Sequence, residues 1–106
     1  MNLSRAIYDP DTRRLFACVV WCLTRYFGHN DSTAMGAVNE FYERFQERFT
    51  DDFYHHQGAY FSALLVHYVH DLAGAIEDFT EWHIESGFRN TPCEALTYFR
   101  EHYFMV

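Results

Sequence analysis

The stretch YFSALLVHYVHDLAGAIEDFTEWHIE, Tyr60 to Glu85, decides the fold. Stepped at about 100° per residue, it separates into two sides. Phe61, Leu64, Leu65, Tyr68, Val69, Leu72, Ala75, Ile76, Phe79 and Trp82 fall on one side. His67, His70, Asp71, Glu77, Asp78, Glu81 and Glu85 fall on the other. That pattern predicts an amphipathic helix with one buried and one wet face. Unbroken, it would run about 39 Å, long for so small a chain. A break near Gly74 is therefore expected, giving two helices. His83 points the same way, because an uninterrupted helix would turn it into the core.

Working toward the N-terminus, Thr50-Asp51-Asp52 suits a helix cap before Phe53, and Gly58 marks a kink or a second start. Val38, Phe41, Tyr42, Phe45 and Phe49 recur at three- and four-residue spacing, which predicts a helix over 33–49 capped by Asp31 or Ser32. Glu40 with Arg44, and Arg44 and Arg48 beside Glu47, read as a solvated face. The run LFACVVWCL is apolar on every side and predicts a buried central helix over 12–27, stopped by Gly28. Asp9 and Asp11 flank Pro10, and either suits its cap. Toward the C-terminus, Gly87 closes the organising stretch. After the loop Phe88-Arg89-Asn90, Thr91-Pro92-Cys93-Glu94 has the form of a capping box. It opens a last helix over 92–103 with Leu96, Phe99 and Tyr103 inward. The expectation is an all-α, single-domain bundle of about five helices: 12–27, 33–49, 53–73, 75–86 and 92–103.

Composition excludes several classes. The chain has 106 residues, 49% apolar and 20% aromatic, which rules out a disordered segment. A core of this size needs no disulfide or metal to fold. The net charge is −7, and all eight basic residues are arginine. Such a chain repels nucleic-acid phosphates and acidic membrane surfaces, and it suits a basic partner. The longest apolar run, Leu15 to Leu23, is too short to span a bilayer. The N-terminus lacks a signal-peptide layout, so a cytoplasmic, reducing location is expected. Cys18, Cys22 and Cys93 form no CxxC pair and read as free thiols.

Three groups of residues were weighed for chemistry. His67, His70 and Asp71 share a helical face, a spacing that metal sites use, but HExxH and di-iron ExxH patterns are absent. They read as surface histidines beside acids, with a histidine-based metal-binding bundle as an alternative. Cys93 sits at a helix start with no histidine near it except His102 at the far end, and no GxSxG or glycine-rich phosphate loop occurs. No enzyme activity and no cofactor are expected. The third group is acidic. Between Phe49 and Phe88 there are seven acids and no arginine. Glu77, Glu81 and Glu85 lack the basic partners that helix faces normally use, so like charges repel there.

Small size, acidity, helical build and absence of catalytic motifs are shared with stoichiometric inhibitors of basic proteins. Immunity proteins that neutralise nuclease toxins are one kind. Phage proteins that block nucleic-acid-handling defence machinery, some by mimicking nucleic acid, are another. The expected partner surface is Glu77, Asp78, Glu81, Glu85, Asp71, His67 and His70, with Tyr60 at its margin as an aromatic anchor. The other class considered is a homodimeric or adaptor subunit, because 11 Phe and 8 Tyr are many for one small core to hide.

Overall fold

Asp9 fixes where the first helix begins. Its carboxylate accepts the Thr12 amide at 3.0 Å, and Pro10 occupies the first helical position, where a missing N–H costs nothing. Helix α1 then runs Pro10–Tyr26. The computed structural model describes residues 2–88 and 90–103. Among these the chain is all-helical, with six α-helices and no strand. The others are α2 (Asp31–Arg44), α3 (Asp51–Gln57), α4 (Ala59–Val66), α5 (Phe79–Ser86) and α6 (Cys93–His102). No helix among the described residues is long and apolar enough to cross a membrane.

The apolar run does place α1 at the centre, packed by α2, α3, α4 and α6. Leu15, Phe16, Cys18, Val19, Val20, Cys22 and Leu23 are all buried. Both α1 cysteines are free thiols, and burial pushes the Cys18 thiol up to about 11. Burial, then the neighbouring Cys18, drives Cys22 up as well. Cys93 is a free thiol on the surface.

Several boundaries differ from the expected ones for physical reasons. Helix α2 is capped by Asn30 rather than Asp31 or Ser32. The Asn30 side chain accepts the Thr33 amide at 2.8 Å while the Thr33 hydroxyl accepts the Asn30 amide at 3.1 Å. It stops at Arg44, because Phe45, Phe49 and Phe53 fold the chain back into an aromatic stack. The Phe49 and Phe53 rings lie 4.4 Å apart and nearly parallel. Thr50 caps α3 as the sequence suggested. Gly58, at φ 91°, breaks the expected single helix into α3 and α4.

The break near Gly74 is present. The helix ends in a π-turn, His67–Asp71, in which the Leu72 amide reaches back to the His67 carbonyl at 3.2 Å. Ala73 turns left-handed at φ 53°, and the Gly74 amide donates to the Tyr68 carbonyl at 3.0 Å. A Cβ on Gly74 would come within 2.2 Å of the Tyr68 ring, so only glycine allows the chain to lie on that phenol. After the turn, a 3-10 segment, Ile76–Asp78, leads into α5.

Two expectations about inward side chains are corrected. Leu72 is 50% exposed and Ala75 is exposed, because the π-turn carries the chain off the core before either arrives. Leu96 is 48% exposed, whereas its neighbour Ala95 and Phe99 are buried. The capping box at Thr91–Glu94 does not form: α6 has no side-chain cap. Glu94 instead accepts Arg25 Nε at 2.8 Å and the Tyr26 hydroxyl at 2.9 Å, tying α6 to the end of α1. Arg89 of the loop before it lies outside the described residues.

Candidate functional site

The chain leaving the π-turn carries acids at Glu77, Asp78, Glu81 and Glu85, and all four are exposed. Glu77 and Asp78 belong to the 3-10 segment, whereas Glu81 and Glu85 are one turn apart on α5. Three of them bear on the Tyr68 phenol. Burial pushes its titration up, then Asp78, then Glu77 and Glu81, with a backbone hydrogen bond to Ala75 opposing. The charges of Asp78, Glu77 and Glu81 are thus all felt at Tyr68, and Glu85 lies one turn beyond Glu81 on α5.

The row is not free of base. Arg48, from the turn after α2, brings Nη1 to 4.0 Å from Glu77 Oε1. Both side chains are mostly exposed, 52% and 70%, and such a pair contributes about 0–1 kcal/mol. Asp78, Glu81 and Glu85 have no ion-pair partner among the described residues.

Tyr60 does not border this row. It is 7% exposed, set edge-on to Tyr26 at 5.8 Å. All of helix α4 but Phe61 is buried, so helical periodicity misassigned Tyr60.

His67, His70 and Asp71 do come together, joined by a residue the sequence reading missed. Asp71 Oδ2 accepts His67 Nδ1 at 2.7 Å and His29 Nε2 at 2.8 Å, and Oδ1 accepts His70 Nδ1 at 3.1 Å. A carboxylate only accepts, so each of those ring nitrogens carries a proton. His29 comes from the loop between α1 and α2, so one carboxylate pins that loop to the end of α4. His70 Nε2 also lies 3.7 Å from Glu40 Oε2 on α2. Partial burial would raise the Asp71 carboxyl, but the three imidazole N–H bonds outweigh it and hold it below its ordinary value. The arrangement is an anion surrounded by donors rather than a set of open lone pairs. Among the described residues, no group of three or more His, Cys, Asp or Glu side chains is disposed to hold a metal ion.

A second polar knot was also unforeseen. The Thr12 hydroxyl, fully buried, lies 3.1 Å from both Asp9 Oδ2 and Asp51 Oδ2 and 2.9 Å from His55 Nε2. The Tyr42 hydroxyl donates to Asp51 Oδ1 at 2.6 Å, and His55 Nδ1 meets the Tyr103 hydroxyl. One consistent ordering has Tyr103 donating to His55, His55 to Thr12, and Thr12 to a carboxylate. The donors are used within the protein, and the knot fastens α1, α2 and α3 below an acidic cleft of about 630 Å³. Only its acids were legible in advance; Thr12 looked like an ordinary first-turn residue.

The remaining feature is apolar. Phe49, Phe53, Phe61, Leu65, Ile76 and Phe79 line a groove of about 330 Å³ between the turn after α2, helices α3 and α4, and the start of α5. Phe49, Phe53, Phe61 and Ile76 are only half-buried. Its lining also includes Thr80, next to Glu81 in the chain, and Arg48, which reaches Glu77 at 4.0 Å. No family model matches this chain, and neither a curated protein nor a solved structure matches it.

Proposed function

We propose that this chain is a small acidic binding protein that inhibits a basic, nucleic-acid-handling partner by one-to-one contact, of the toxin-immunity type. The observation that carries the reading is the row Glu77, Asp78, Glu81 and Glu85: four exposed carboxylates on nine residues of chain, with Arg48, 4.0 Å from Glu77, their one ion-pair partner among the described residues. Uncompensated like charges one turn apart cost about 0.2–0.5 kcal/mol per pair. A cationic protein surface offsets that cost on binding. The carboxylates would stand where phosphates otherwise sit, and encounter would be fast and sensitive to salt. His67, His70 and Asp71 have a supporting role in this reading. They lock the turn from which the row departs, rather than contacting the partner.

The test is retention and inhibition. The immobilised chain should retain a cationic nuclease or nucleic-acid-binding protein from extract at low salt, and equimolar chain should suppress that protein's activity. Glu81→Lys with Glu85→Lys should abolish both, by well over about tenfold, while the melting temperature stays within a degree or two of wild type. The same proteins retained equally by the double variant would show that the row is not the interface.

A further inference from the structure

Resting on that reading, we propose that the groove beside the acidic row receives the apolar face of an arginine-bearing amphipathic helix of the partner. The occupant's chemistry follows from what surrounds the groove. Its floor is aromatic and aliphatic, from Phe49, Phe53, Phe61 and Leu65. Its far wall comes from Ile76, Phe79 and Thr80, whose chain neighbours Glu77, Asp78 and Glu81 are exposed, and Glu77 lies 4.0 Å from the lining residue Arg48. One ligand therefore meets apolar surface and carboxylates side by side. A helix with leucine-type anchors on one face and cations flanking them satisfies both.

The chain's own Arg48 identifies the cation. Its guanidinium stands 5.7 Å over the Phe49 ring while Nη1 reaches Glu77. A planar guanidinium suits an aromatic face together with a carboxylate better than an ammonium does. Arg48 lines the groove and is exposed and weakly held, so it is a displaceable occupant of the place a partner arginine would take. The same contact makes Arg48 a mild competitor for the partner.

The probe is a synthetic amidated peptide of about 18 residues, with leucines at i, i+3, i+4 and i+7 spacing and arginines elsewhere. Two companions replace the leucines by glutamine or the arginines by glutamate. Binding to the full chain is read by fluorescence anisotropy. The leucine–arginine peptide should bind about tenfold more tightly than the glutamine–arginine peptide. Thr80→Trp fills the groove from an exposed position and should weaken the leucine–arginine peptide about tenfold, as should Phe53→Gln. Arg48→Gln should tighten it about threefold. Equal affinity of the two arginine peptides, or indifference to both Thr80→Trp and Phe53→Gln, overturns the groove and leaves the carboxylate row standing. If neither arginine peptide outbinds the glutamate peptide, the underlying reading falls as well. Sedimentation of the free chain as a dimer that Thr80→Trp dissociates would make a second copy the occupant, and would overturn the proposal.

Discussion

The two halves of the organising stretch have opposite roles. Residues 59–69 are buried almost throughout: Ala59, Tyr60, Ser62, Ala63, Leu64, Leu65, Val66, Tyr68 and Val69. From Leu72 to Phe88 only Phe79 is buried, with Ile76 and Trp82 packed against the core from outside. The first half is held by close packing with α1. The second is held by its entry turn, through Asp71, Gly74 and Tyr68. A segment that contributes little to the core can carry repelling charges without endangering the fold, and the acidic row lies in that segment.

The contrast can be broken most forcefully in the buried half. Leu64, 1% exposed between α1 and its own helix, should cost about 3 kcal/mol when changed to Ala, against within about 0.5 kcal/mol for Leu72→Ala. Urea unfolding of both variants checks this. Similar losses at the two sites would mean the segment after the turn belongs to the core after all.

The entry turn comes next. Gly74→Ala drives a methyl into the Tyr68 ring, which Phe79 and Trp82 hold at 5.6 and 4.9 Å. A loss of about 1–3 kcal/mol is expected. Hydrogen exchange should locate it, with amides of α5 exchanging faster while those of α1 keep their protection. Uniform loss of protection would contradict a separately hinged acidic segment.

The smallest effect depends on pH. The folded Asp71 carboxyl is held below the ordinary value of 3.8, so its bonds stabilise the fold fully above that value. The contribution is lost as pH falls through the folded value. Asp71→Asn should therefore cost about 1–2 kcal/mol near pH 6, with the gap from wild type closing as pH falls below the ordinary carboxyl value of 3.8. A gap of constant width down to acid pH would show that shape, not charge, matters at this position.

Much of the fold was legible because it is decided locally. Asp9, Thr50, Gly58 and Gly87 each act on chain within four residues, and each does what its residue type dictates. The break at Gly74 was legible from helix length and from the placing of His83. What escaped were choices settled at a distance. Glu94 has the spacing of a capping box, but Arg25 and Tyr26, nearly seventy residues earlier, take its carboxylate. His29 stood alone in a loop, and no periodic pattern could join it to Asp71, 42 positions on. Tyr60 was misplaced because a helix buried at every position but Phe61 has no wet side for periodicity to find. The acids of the row were legible as a group. Their shared effect on the Tyr68 phenol, and the intrusion of Arg48, depend on the turn geometry between them.

The two sulfhydryls in the middle of α1 have a practical consequence. Sealed in the interior and reluctant to ionise, Cys18 and Cys22 stay silent toward a chromogenic disulfide reagent while the molecule is shut. Cys93 reacts at once and calibrates the signal. The slower colour that follows is then a clock for whole-molecule opening, built into the natural chain without any added label.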